Sequence, residues 1–144
     1  MLASMATQKP ARRSECPISY SLDIFGDRWT LLVVRDLALT GKKHFRDFLD
    51  SDEGIASNIL ADRLKTLECF GIVTRHPDPE HASKVIYSLT EKGMDLIPAL
   101  FELVRWGVKY DDKTRVPKEF VQRIEKERDQ MVAEAKAALR ARQN

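Results

Sequence analysis

Apolar residues recur at helical spacing along most of the chain, with one stretch where the period drops to two. Pro17 suits a first helical position, and Ile18, Leu22 and Phe25 follow at three- and four-residue steps before Gly26, which predicts a helix over 17–25. Asp27 is a good N-cap for a second helix over 28–39, carrying Trp29, Leu32, Val33 and Leu37, which Thr40-Gly41 breaks. Phe45, Phe48 and Leu49 mark a short third helix over 44–51, and Leu60, Leu64 and Leu67 place one stripe on a fourth over 57–70. Gly71 supplies the left-handed residue that closes it. Ile72–Arg75 and Lys84–Leu89 are β-branched and alternating, around a tip whose prolines are unfit for a central strand, so they predict a hairpin with a long loop. Thr90 then caps a helix over 91–110 with Ile97, Leu100, Phe101, Val104 and Val108 inward and a kink at Pro98. After a linker over 111–117, strong helix formers predict a last helix over 118–142, with Phe120, Ile124, Met131, Ala135 and Leu139 roughly along one side.

Two helices joined by a tight glycine-containing turn and followed at once by a hairpin describe a winged helix-turn-helix, so the fold class expected is mainly α with a small β-hairpin. In that arrangement the fourth helix lies in the major groove while the hairpin reaches along the backbone. At about 100° per residue, with Leu60 set inward, Asn58, Ala61, Asp62 and Lys65 fall on the far side and Arg63 on the flank. Asn58 can pair with adenine or bond to a phosphate, Lys65 suits phosphate, Arg63 is a further candidate for operator contact, and Ala61 permits close approach or touches a thymine methyl. Asp62 repels phosphate, so it either reads a cytosine amino group or pairs with Arg63. Lys42, Lys43 and His44 precede the third helix, whose N-terminus adds anion-binding capacity. Ser57 starts the candidate recognition helix, and Arg75, Ser83 and Lys84 lie on or near the hairpin.

Composition adds limits rather than direction. With 144 residues the chain suits one domain, and 24 Lys+Arg against 22 Asp+Glu leaves a net charge of +2, too small to advertise nucleic acid unless the charges are arranged locally. The aliphatic run Leu31–Val34 is far short of the roughly 20 apolar residues that span a bilayer, and residues 1–14 read as a mobile arm, not a secretory signal. Cys16 and Cys69 are too few for a disulfide scaffold or a four-cysteine zinc site. His44, His76 and His81 lack ligand spacing, so neither a metal nor another cofactor is expected. No Gly-rich phosphate loop follows a strand, and catalysis has no other support. A cytoplasmic, non-enzymatic protein of three parts follows: an arm over 1–14, a winged domain over 15–113 and a helical extension over 114–144.

The sequence resembles the HxlR-type family of bacterial winged helix-turn-helix transcriptional regulators, relatives of the MarR group. The resemblance rests on Cys16-Pro17, Gly26-Asp27-Arg28-Trp29-Thr30-Leu31-Leu32, Phe45 through Leu49, Gly54-Ile55 and Asn58 through Lys65. It continues through Leu67-Glu68, Gly71-Ile72-Val73, Tyr87 through Gly93, Leu96-Ile97-Pro98 and Trp106-Gly107. It implies a homodimer formed through the terminal helices, with Ile18, Leu22, Leu100, Phe101, Val104 and Trp106 at the interface. It also implies a double-stranded, partly palindromic operator, repression of adjacent genes, a nucleoid-associated location and a small-molecule effector, with Trp106 near the dimer seam as a candidate lining. Departures from the family pattern are Ala56 and Ser57, where Ser and Pro are frequent, and Lys42-Lys43, where Arg is common. Ser57 can itself cap the helix and start it one residue later.

Some family members sense electrophiles or oxidants through a cysteine at the position of Cys16. Here a helix N-terminus and the upstream Arg12 and Arg13 favour thiolate, and Glu15 opposes it; the alternative is a cysteine that only caps and packs at the dimer interface. Two further readings compete with the regulator: a winged helix that binds protein instead of DNA, favoured by the near-neutral fourth helix, and a thiol-dependent enzyme.

Overall fold

A computed structural model describes residues 9–144; residues 1–8 of the expected arm lie outside the described part. Ten elements follow in order: α1 (Pro17–Phe25), α2 (Thr30–Leu39), α3 (Phe45–Leu49), α4 (Ser57–Cys69), β1 (Val73–Pro77), β2 (Val85–Leu89), α5 (Glu91–Met94), α6 (Ile97–Tyr110), α7 (Lys118–Lys126) and α8 (Arg128–Gln143). Val34, Leu60, Leu67 and Ile97 are fully buried, with Phe48, Leu64, Phe101 and Ile124 almost so. Burying each such side chain contributes about 1.5–3 kcal/mol, so α2, α4 and α6 are held chiefly by this shared core. Ile124, Met131 and Leu139 join the same cluster, which makes α7 and α8 part of the core that the winged domain uses.

The strands pair antiparallel from Val73 with Leu89 to Pro77 with Val85. The segment before α3 adds to this sheet: His44 bridges Ile86, and the Tyr87 amide donates to the Lys43 carbonyl. Gly71 closes α4 at φ 70°, as its position predicts. Thr90 caps α5 by accepting from the Gly93 amide at 3.1 Å.

Four expectations need correction. The Asp27 carboxylate does accept from Trp29 and Thr30, at 2.8 and 3.0 Å, but the helix it opens starts at Thr30, two residues later. Pro77 sits inside β1, because a two-stranded hairpin leaves its missing N–H facing no partner. Pro98 does not kink one long helix; α5 stops at Met94 and Pro98 lies in the first turn of α6, where its lost amide costs nothing. The tail also breaks, at Glu127, whose backbone (φ −134°, ψ 30°) leaves the helical region and lets α8 fold back on α7.

Candidate nucleic-acid interface

Helix α4 buries Leu60, Leu64 and Leu67 against α2 and α3, and the same periodicity leaves Ser57, Asn58, Asp62 and Lys65 exposed, with Ala61 half-buried between them. Ala56 holds the N-cap position without a side-chain bond and Ser57 is already helical, so Ser57 does not cap. The end of the helix is therefore open: the Leu60 amide is taken by the Ala56 carbonyl, while Ser57 and Asn58 present their side chains to solvent.

Arg63 is drawn to its own chain. Its Nε lies 3.1 Å from Asp27 Oδ2, off the hydrogen-bonding axis, and Nη1 donates to Asp62 Oδ2 at 3.1 Å. Burial tends to raise the Asp27 carboxyl, but bonds from Thr30 and Trp29 and the charge of Arg63 outweigh it and hold it below its ordinary value. Of the two roles open to Asp62, the pairing with Arg63 is the one formed.

The basic cluster before α3 is divided. Lys42 Nζ donates to Ser51 Oγ at 2.6 Å and lies 3.6 Å from Asp36 Oδ2, so its charge is used internally. Asp36, 3% exposed, also accepts from Arg35 Nε and Ser51 Oγ, and Arg35 bridges on to Glu53. This buried network ties α2 to the turn that enters α4. His44 Nε2 lies 2.8 Å from the buried Asp78, locking the hairpin tip to the start of α3. The amides of Lys43 and His44 both donate to Asp47 Oδ2, which occupies the start of α3 where a phosphate was expected. Lys43 alone of the three is exposed.

Arg75, Ser83 and Lys84 stay exposed, and together with Arg46 they edge a groove of about 570 Å³ between α3 and the hairpin. Tyr87 forms part of its wall, edge-on to Phe48 at 6.2 Å. Sequence reasoning missed Arg46; its place between Phe45 and Phe48, off their shared apolar side in a short helix, is the signal that carried it.

Cys16 is exposed at the start of α1. Arg13 Nε bonds Asp23 at 2.5 Å, so its charge is matched, whereas Arg12 Nε donates only to the neutral Ser14 carbonyl. Ile18 and Leu22 are exposed on α1, and Trp106 on α6, as an interface would require. Leu100 and Phe101 are corrected: both are buried within the chain, Phe101 edge-on to Phe120 at 5.8 Å, and Val104 is half-buried against the same core. Tyr20, Leu103 and Tyr110 are exposed in their place. Among the described residues no group of three or more His, Cys, Asp or Glu side chains is placed to hold a metal, and no helix is long and apolar enough to cross a membrane.

This geometry is that of a winged helix-turn-helix with its second helix open. The family model for the HxlR-like helix-turn-helix matches residues 24–115, and the chain belongs to that family of DNA-binding transcriptional regulators. YvaP of Bacillus subtilis, an HTH-type transcriptional regulator, is 36% identical over 98 residues, covering 67% of this chain and 90% of that one. The solved structure of PA1607, a transcription-factor candidate, has TM-score 0.65 and 39% identity, covering 72% of this chain and 73% of that chain. The reduced form of the regulator YodB from B. subtilis has TM-score 0.55 and 31% identity, covering 71% of this chain and all of that one.

Proposed function

We propose that the protein is a cytoplasmic homodimeric repressor that sets α4 of each copy into successive major grooves of a partly palindromic operator. The observation that carries this is the division of α4: leucines inward, and Asn58, Asp62 and Lys65 left in solvent. Asn58 reads a base edge, Lys65 and Lys43 hold phosphates, and Arg46, Arg75 and Lys84 follow the backbone from the groove beside the hairpin. Arg63 positions α4 against Asp27 instead of reading DNA. The dimer forms through α1 and α6, whose exposed apolar side chains have no cover among the described residues, and Cys16 packs at that seam.

Mobility shift on the chain's own upstream region tests the assignment. Lys65→Ala is expected to weaken binding to all sequences and to reduce the salt slope by about one phosphate contact. Asn58→Ala is expected to relax preference at one position of each half-site by about tenfold or more. An unchanged preference profile removes Asn58 from base reading, and salt-independent or absent binding removes the operator itself.

A further inference from the structure

The appended helices lie beyond the residues that match the family model, and they build a second cleft. The end of α8 meets the hairpin on the side facing away from α3. There Gln143 Nε2 donates to the Leu89 carbonyl at 2.9 Å, and Arg140 pairs with Glu91 just outside. Between them lies a space of about 370 Å³, floored by Leu37, Ile86, Leu89 and Leu139. Its rim carries Lys43 and Arg142; no Asp or Glu side chain lines it, and Asn144, the last residue of the sequence, brings the one carboxylate of the lining. Neither Lys43 nor Arg142 has an acidic side chain in ion-pair range among the described residues, whereas Lys42, deeper in, is already matched by Asp36. Gly41, at φ +73°, sits under the Arg142 guanidinium: a Cβ there would lie 3.4 Å from Nη1, so the bare backbone leaves room for that group.

An apolar floor with two cations at one edge that no acidic side chain pairs is complementary to a small organic anion, and the volume falls within the ordinary range for such ligands, about 300–1,000 Å³. We propose that this cleft binds a small organic monoanion with an apolar body, its acid group held between Lys43 and Arg142. The site needs neither a second copy nor DNA, so it is tested on the chain alone. Amide NMR spectra are recorded during titration with sodium 1-naphthoate. Saturable shifts are expected at Gly41, Ser88 and Gln143. Arg142→Gln and Lys43→Gln should each weaken binding about tenfold, the loss of one charge-assisted hydrogen bond. Arg140→Gln, which removes the same charge outside the cleft, should leave it unchanged. Neutral 1-naphthalenemethanol and inorganic phosphate, each lacking half of the complementarity, should bind at least about tenfold more weakly. Shifts confined to the exposed apolar face of α6, equal binding of the neutral analogue, or indifference to Arg142→Gln would each overturn the assignment.

Discussion

Asp78 shows how much one side chain can decide here. The His44 imidazole hydrogen-bonds its carboxylate, the Glu80 amide adds a second bond, and its pKa is lowered from 3.8 to about 2. A depressed carboxyl stabilises the fold above its unfolded pKa, and the contribution fades as pH falls through the folded value. The stability gap between the native chain and Asp78→Asn is therefore expected to be full above pH 3.8 and to shrink towards pH 2. Urea unfolding of both proteins at stepped pH measures it; a gap that stays constant across that window would show that the carboxylate charge is not the cause. Nothing in the local sequence announces the pair, since 34 residues separate its members. His44 looked like a phosphate ligand because only its neighbours in the chain were visible.

The elements are ordered by polar contacts as much as by apolar stripes. Asp36 joins α2 to Lys42 and to Ser51, and so fixes the turn from which α4 departs. Its replacement by Ala is expected to destabilise the protein by about 3 kcal/mol, towards the lower end for a broken buried pair because Arg35 and Lys42 can partly resolvate. The shift of the urea midpoint measures this, and a loss under about 0.5 kcal/mol would match an ordinary surface substitution and refute the structural role. The stripes on α2, α4 and α6 were legible because burial imposes a 3.6-residue period whatever the partner is. The break at Met94 was not: Lys92 Nζ reaches the Phe70 carbonyl and Gly93 packs close to the Ile72 carbonyl, contacts made across the fold. The exposed face of α4 was legible for the same reason as its buried face. Which of its charges were free was not, because Arg63 is claimed by Asp27 from the preceding helix pair.

At the scale of the whole molecule, α6 carries two apolar stripes with different fates. Ile97, Leu100 and Phe101 face the chain's own core, whereas Leu103, Trp106 and Tyr110, spaced three and four apart, stay in solvent, as do Ile18, Tyr20 and Leu22 of α1. Trp106 is 66% exposed and leans on Tyr110 at 5.2 Å between ring centroids. Exposed aromatics of this kind supply the anchors of protein interfaces, where a few such residues carry most of the binding energy. Trp106→Glu should therefore leave the fold nearly as stable, since it alters a solvated position, yet drive the protein to a single chain of 16.5 kDa in sedimentation equilibrium. Phe101→Ala should do the reverse, costing about 3–5 kcal/mol of folding stability through a core cavity while leaving assembly of the folded fraction intact. Because two linked half-sites bind far more tightly than one, Trp106→Glu should also lose operator affinity by about a hundredfold while each α4 remains unaltered. If Trp106→Glu still sediments as a dimer, the second stripe of α6 is not the seam, and the spacing of the two α4 helices must be set elsewhere.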